Sequence, residues 1–236
     1  MPRQLLIIIP CFNEESSLPL VLDGLQQLEL PPVYQLKVLV VNDGSTDRTE
    51  AVALAHRVTV LNLPINLGIG GAVQTGFKYA AENYLDLAIQ LDGDGQHPPR
   101  ELIKLINAYE QTGANVVIGS RFIDRKGFQS SVMRRSGISY FHWLNRLFAG
   151  VSVYDSTSGF RLFDKKALQF AADNYPDEYP EPESLVLFAK TGLTVKEVPV
   201  VMSRRLGGRS SIGKTASLYY MLKVTIAMFF SSIRKI

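Results

Sequence analysis

Five short apolar runs, cut off by proline, glycine or polar residues and the first four followed by stretches of helical character, constrain this chain more than any other feature. They are Leu5 to Pro10, Leu36 to Val41, Val58 to Leu63, Leu87 to Leu91 and Asn115 to Gly119. Apolar runs without alternation are what strands look like when helices cover both faces of their sheet. Between the runs, Leu18, Val21, Leu22, Leu25 and Leu28 recur at helical spacing, Asp47 to Ala55 and Ala72 to Glu82 read as helices, and Pro98-Pro99-Arg100-Glu101 opens another. Asn13 to Ser17 reads as the start of the first helix, Pro31-Pro32 as its stop, and Ser45 or Thr46 as the cap of the second. Strands alternating with helices of this length pair in parallel through right-handed crossovers. The expected class is α/β, a Rossmann-like, mostly parallel sheet flanked by helices, in a chain of 236 residues that can bury a sizeable core.

One of these runs ends in chemistry. Leu87-Ala88-Ile89-Gln90-Leu91 stops at Asp92-Gly93-Asp94-Gly95-Gln96-His97-Pro98-Pro99. Residues i and i+2 of a strand point to one side, so Asp92 and Asp94 can converge on a single cation as the strand ends. Two hard oxygen ligands suit Mg²⁺ or Mn²⁺, which keep waters and take a substrate's phosphates as further ligands. The Gln96 carbonyl is a third candidate. Asp-Gly-Asp-Gly is also an ordinary turn sequence. What favours a site is its place at the C-terminal end of a strand, where open α/β sheets bind ligands.

Two other strand ends are polar: Asn13-Glu14 follows the first and Asp43 the second. A doubly wound sheet gathers such ends along one edge, so these residues are expected to share a cleft with Asp92 and Asp94. Asp43 suits accepting from a base or ribose donor. Gly68-Ile69-Gly70-Gly71 matches neither a P-loop nor G-x-G-x-x-G, which weighs against ATPase and dinucleotide chemistry. The single Cys11 excludes an internal disulfide and fits a reducing compartment, and three scattered His without Cys partners argue against zinc. Leu5 to Ile9 is too short for a signal-peptide core. The net charge is only +3, but Arg121, Arg125, Lys126, Arg134, Arg135, Arg204, Arg205, Arg209 and Lys214 all lie in the second half. That asymmetry points to an anionic ligand or membrane surface there.

After Arg121 the alternation fades. Tyr140 to Phe148 reads as an amphipathic helix with the only Trp, Trp143; Asp155 to Arg161 turns ahead of Leu162-Phe163; Ser184 to Lys190 is an apolar helix after Tyr179-Pro180-Glu181-Pro182-Glu183; and Val195 to Val201 is a further strand. Arg204 to Ser211 reads equally as a loop that closes over phosphates or as a solvated surface loop. Ser217 to Ile233 falls short of the ~20 apolar residues of a membrane span and is interrupted by Lys223. It is expected to lie on a membrane or dock on a membrane partner, with Arg234-Lys235 beside an anionic leaflet. A terminal helix packed on its own domain is the alternative. The expected organisation is one domain over 1–214 and an amphipathic docking helix over 215–236.

Pro10-Cys11-Phe12-Asn13-Glu14, Asn42-Asp43-Gly44-Ser45-Thr46-Asp47-Arg48-Thr49, Asn66-Leu67-Gly68, Asp92-Gly93-Asp94-Gly95-Gln96-His97-Pro98, Gly119-Ser120-Arg121 and Thr157-Ser158-Gly159-Phe160-Arg161 together resemble the family 2 glycosyltransferases. Within that family the chain is most similar to the polyprenyl-phosphate sugar transferases, and the resemblance runs from Leu5 to about Lys214. It implies a GT-A fold, a nucleotide-diphospho-sugar donor, a divalent cation (Mg²⁺ or Mn²⁺) and inversion at the anomeric carbon. By motif it puts Pro10, Phe12, Glu14 and Asp43 around base and ribose, with Asn66 and Gly71 completing the donor-binding set, and Asp92, Asp94 and Gln96 on metal and diphosphate. Arg121 and the region of Arg134, Arg135 and Ser139 would face the acceptor phosphate, and Arg204, Arg205 and Lys214 would grip the donor diphosphate. Asn42 stands where many members carry Asp, and Phe12 replaces the more usual Tyr.

The function expected from this resemblance is metal-dependent, inverting transfer of a sugar to a polyprenyl phosphate by an enzyme peripherally associated with the cytoplasmic face of a membrane. An anionic phosphate acceptor needs no strong base; a glycan hydroxyl would, and Glu183 or Asp94 is then the candidate. Transfer to a glycan hydroxyl is one alternative, and a catalytically silent nucleotide-sugar-binding subunit is the other. The expected partners are donor, acceptor, a membrane surface or small integral membrane protein, and a second copy of the chain; nucleic acid is not among them.

Overall fold

The computed structural model describes residues 2–124, 132–178, 180–203 and 214–234, with backbone alone at 132–136, 138 and 214–218. The first half runs β1 (Arg3–Cys11), α1 (Leu18–Gln26), β2 (Tyr34–Asn42), α2 (Thr49–Ala55), β3 (Thr59–Asn62), α3 (Gly68–Glu82), β4 (Leu87–Gln90), α4 (Leu102–Thr112) and β5 (Val116–Ser120). The second half adds α5 (Val132–Ala149), β6 (Arg161–Asp164), α6 (Lys165–Asn174), α7 (Pro180–Lys190), β7 (Val195–Pro199) and α8 (Lys214–Ile233). Among the described residues seven strands form one sheet in the order β3-β2-β1-β4-β6-β5-β7. Every pairing is parallel except those of β6, which runs antiparallel between β4 and β5.

The period of two along β1 builds both layers. Leu5, Ile7 and Ile9 pack with Leu18, Val21, Leu22 and Leu25 of α1 and Leu102 and Leu105 of α4. Leu6 and Ile8 pack on the other face with Val73 and Phe77 of α3 and Leu168 and Ala171 of α6. Each fully buried Leu or Ile contributes roughly 2 kcal/mol, so a strand buried on both faces anchors the sheet. Helix α3 comes especially close: a Cβ on Gly76 would lie 2.3 Å from Ile8 Cγ2.

Several elements differ from the sequence expectation. The glycine loop at 68–71 is the first turn of α3 rather than a connection leading into it. Helix α2 starts at Thr49, whose N–H donates to Asp47 Oδ1 at 2.9 Å, while Ser45 and Thr46 bond Asn13 and do not cap. Helix α6, capped by Asp164 accepting from Ala167 N–H, and the reversal of β6 were not legible as patterns.

A third apolar cluster joins Phe141 and Leu144 of α5, Val186 of α7, and Val224 and Met228 of α8. The outer side of α8 carries Tyr219, Leu222, Ile226, Phe229, Phe230 and Ile233, all exposed, and α5 adds exposed Trp143 and Leu147 beside it. Phe148 and Phe229 meet edge to face, making the two faces continuous. Among the described residues no helix is long and apolar enough to cross a membrane.

Candidate active site

The chain lays β2 and then β3 on one side of β1 and returns through α3 to place β4 on the other. The crevice at the C-terminal ends of β1 and β4 is therefore the switch point where open α/β sheets bind ligands. The loops after β1, β2, β4 and β5 and the turn entering β6 all open on this edge.

Two of the loops are laced together. Asn13, at φ 57°, donates its N–H to Ser45 Oγ at 3.0 Å and accepts from Thr46 N–H at 2.8 Å. Glu14 N–H donates to Thr49 Oγ1 and Glu15 N–H to Asp47 Oδ2. The Glu14 carboxylate accepts from Ser17 Oγ at 2.5 Å. Pro10 is buried, and Phe12 beside it is half exposed over the crevice mouth. Asp43, 3% exposed, accepts from Leu67 N–H at 2.7 Å and Gly68 N–H at 2.9 Å. Burial raises its pKa and these two bonds pull it back. Asp43 thus holds the start of α3, a negative charge at a positive helix end. Asn66 is exposed and accepts from Gly68 N–H, and Gly71 packs against Leu67.

The β4 loop sits on the end of β1, so close that a Cβ on Gly93 would lie 2.8 Å from Cys11 Sγ. Asp94 is buried and Asp92 half buried. Asp94 Oδ1 accepts from Gln96 N–H at 2.9 Å, and the Gln96 backbone carbonyl accepts from Ser203 N–H at 2.9 Å. Ser203 is therefore anchored on this loop. His97, 4% exposed, stacks on Phe160 with ring centroids 4.9 Å apart. Burial pushes its pKa down to about 4, so the ring is neutral at pH 7.

The turn before β6 closes the crevice from the other side. A Cβ on Gly159 would lie 2.7 Å from Gln90 Nε2 and 3.4 Å from Asp92 Oδ1. Arg121 is gripped by Asp155 through Nε at 2.7 Å and Nη2 at 2.6 Å, and Nη2 also reaches Thr157 Oγ1. Burial pulls the Arg121 pKa down, yet the paired carboxylate outweighs it and leaves the group raised. Arg161, fully buried, donates to the carbonyls of Ser156, Ser158 and Glu181 and to Ser184 Oγ. Burial raises the Glu181 pKa, Arg161 opposes that, and the charges of Asp92 and Arg121 also act on it. Asp92, Asp94, Asp155 and Glu181 thus share this edge with Arg121 and Arg161, a negative balance that favours a cation.

Asp92 and Asp94 fit a divalent ion by donor chemistry. Two buried nitrogens near Asp92, Gln90 Nε2 and His97 Nδ1, have no hydrogen-bond partner, the kind of unmet polarity that a bound group resolves. Among the described residues no group of three or more His, Cys, Asp or Glu side chains is placed to hold a metal. An ion here would complete its shell with water or a ligand's oxygens.

The structure gathers Pro10, Phe12, Glu14, Asp43, Asn66, Asp92, Asp94, Gln96 and Arg121 on one edge. It turns Glu183 away: that carboxylate accepts from Ser231 Oγ of α8 at 2.6 Å and lines a separate cavity of about 550 Å³ with Lys223 and Arg234. Two residues apart on a helix means nearly opposite sides, and it is Glu181 that faces the edge. Arg135 lies on α5 and Lys214 opens α8, their side chains outside the described residues; Arg204 and Arg205 lie outside them altogether. Sequence reasoning missed Gln90, His97, Asp155 and Glu181 as members of the cluster. The signal for Glu181 was Glu181-Pro182-Glu183 itself, whose rotation only packing decides.

Residues 6–170 match the family described as Glycosyl transferase family 2. The chain is 32% identical to the polyprenol monophosphomannose synthase of Mycolicibacterium smegmatis, over 94% of this chain and 86% of that one. It is 29% identical to a UDP-N-acetylglucosamine–dolichyl-phosphate N-acetylglucosaminyltransferase of Methanococcus voltae, over 82% and 83%. Among solved structures it resembles glucosyl-3-phosphoglycerate synthase from Mycobacterium tuberculosis, crystallised with Mn²⁺, UDP and glucosyl-3-phosphoglycerate. The TM-score is 0.69 with 21% identity, over 98% of this chain and 80% of that one.

Proposed function

Because this chain belongs to glycosyl transferase family 2, and is a glycosyltransferase of GT-A fold, we propose that it moves a sugar, with inversion, from a nucleotide-diphospho-sugar to a polyprenyl phosphate at the cytoplasmic face of a membrane. The observation that carries the reading is Asp92 and Asp94 at the switch point between β1 and β4, with Arg121 and Arg161 alongside. Relatives named for polyprenol and dolichyl phosphate support the acceptor class.

In this reading the laced loops around Pro10, Phe12 and Glu14, with Asp43 and Asn66 at the start of α3, cradle base and ribose. Asp92, Asp94 and Gln96 would hold Mg²⁺ or Mn²⁺, which when bound would offset negative charge on the departing diphosphate. Arg204, Arg205 and Lys214 supply positive charge to that diphosphate. Arg121, fixed by Asp155, and Arg135 present positive charge to the acceptor phosphate. The acceptor oxygen is already anionic and attacks the anomeric carbon from the face opposite the leaving group. The exposed apolar face shared by α5 and α8 rests on the bilayer and brings the crevice to the lipid headgroup.

One observation favours a second acceptor class. Glu181 is a carboxylate with a raised pKa beside Asp92, a suitable general base for a glycan hydroxyl. NMR of the product's anomeric centre, with and without EDTA, tests the first reading. It predicts a configuration opposite to the donor's, a phosphodiester acceptor linkage, and loss of turnover on chelation. A linkage to a sugar hydroxyl that is abolished by Glu181→Gln selects the second.

A further inference from the structure

Asp92 stands between two buried nitrogens that lack hydrogen-bond partners. On one side His97 Nδ1 lies 3.8 Å from Asp92 Oδ2, its ring held in place by the stack on Phe160. On the other, the fully buried Gln90 turns Nε2 toward the backbone of Gly159, which also borders Asp92 Oδ1. The Tyr175 hydroxyl donates to Gln90 Oε1 at 3.4 Å and so fixes which end of the amide faces that side. Leaving a buried polar group unmet costs about 1–3 kcal/mol. Two such atoms flanking one carboxylate call for a state in which they are met. Carboxylates that carry metal ions are oriented by outer hydrogen bonds, and losing one typically weakens metal binding about 10- to 100-fold.

Resting on the reading of Asp92 and Asp94 as cation ligands, we infer that His97 is a positioning residue for Asp92. Its Nδ1–H closes on Asp92 Oδ2 when that carboxylate carries a divalent cation, while Gln90 Nε2 supports the Oδ1 side. The 3.8 Å separation must then shrink by about 1 Å to reach hydrogen-bond length.

Calorimetric titration of the full chain with Mn²⁺ alone reads this without turnover. His97→Phe keeps a ring against Phe160 but removes both nitrogens, and is expected to weaken Mn²⁺ binding about 10- to 100-fold. His97→Asn, whose amide can donate from the Nδ1 position, should recover a large part of that loss. Native-like affinity in His97→Phe overturns the inference, as does an equal loss in both variants. A native chain that binds no Mn²⁺ overturns the cation reading beneath it instead. Should a variant fail to fold, ¹⁵N NMR of the native imidazole decides: the Nδ1–H tautomer with its proton moving downfield on Mg²⁺ addition is expected, and the Nε2–H tautomer or an unmoved proton contradicts it.

Discussion

Asp92 is the residue on which the proposed chemistry turns. Asp92→Ala should lower kcat by about 100-fold or more, the size expected when a group stabilising transition-state charge is removed, while the melting temperature stays near native because the residue is only half buried. A silent binding subunit would have no turnover to lose. Gly159→Ala inserts a methyl 2.7 Å from Gln90 Nε2 and 3.4 Å from Asp92 Oδ1, and should cost about 1–3 kcal/mol in urea unfolding together with most of the activity. The buried His97 predicts an acid limb. With metal chelated, the unfolded chain takes its proton near pH 6.5 and the folded one only near 4. Stability present above pH 6.5 therefore drains away as pH falls toward 4, by about 3 kcal/mol. Urea midpoints across that range should flatten in His97→Phe; parallel curves would contradict this. At this scale the sequence was informative for Asp92 and Asp94, since strand alternation and the loop position depend on neighbours in the chain. It was silent on Gln90, His97 and Glu181, whose roles arise from what β6 and α7 bring against them.

At the scale of elements, the turn before β6 is the clasp between the loop after β4 and α7. Arg161 makes four hydrogen bonds that tie Ser156, Ser158, Glu181 and Ser184 together, and Asp155 fixes Arg121. Asp155→Ala leaves a buried guanidinium without its carboxylate and should destabilise the protein by about 3–5 kcal/mol, measured by chemical denaturation. The strands and helices of the first half were legible because the strand runs are mostly apolar in sequence and the intervening helices repeat apolar residues at helical spacing; β3, at the sheet edge, has no buried residue. The reversal of β6 was not, because four residues carry no mark of strand direction. The start of α3 was misplaced because Gly68 to Gly71 reads as a loop, while Asp43, far away in sequence, supplies the acceptors that let the helix begin there.

At the scale of the molecule, the α5–α8 face is the proposed contact between the crevice and a membrane. Leu222→Ser combined with Phe230→Ser should cut cosedimentation with anionic-lipid vesicles by about tenfold or more, given roughly 2 kcal/mol per large apolar side chain, with Mn²⁺ binding unchanged. Undiminished vesicle binding would remove α8 from the membrane interface. The terminal helix was legible as a helix, although its packed and exposed sides are both apolar; the contribution of Trp143 and Leu147 was not legible, since only the packing of α5 on α8 makes one surface of them. The most direct measurement of the central claim is transfer from a panel of radiolabelled nucleotide sugars to added polyprenyl phosphate with Mg²⁺ or Mn²⁺. Label from one donor in an organic-extractable, mild-acid-labile lipid is the predicted result. Label that stays out of the lipid for every donor, while the same enzyme glycosylates a sugar hydroxyl, would contradict it.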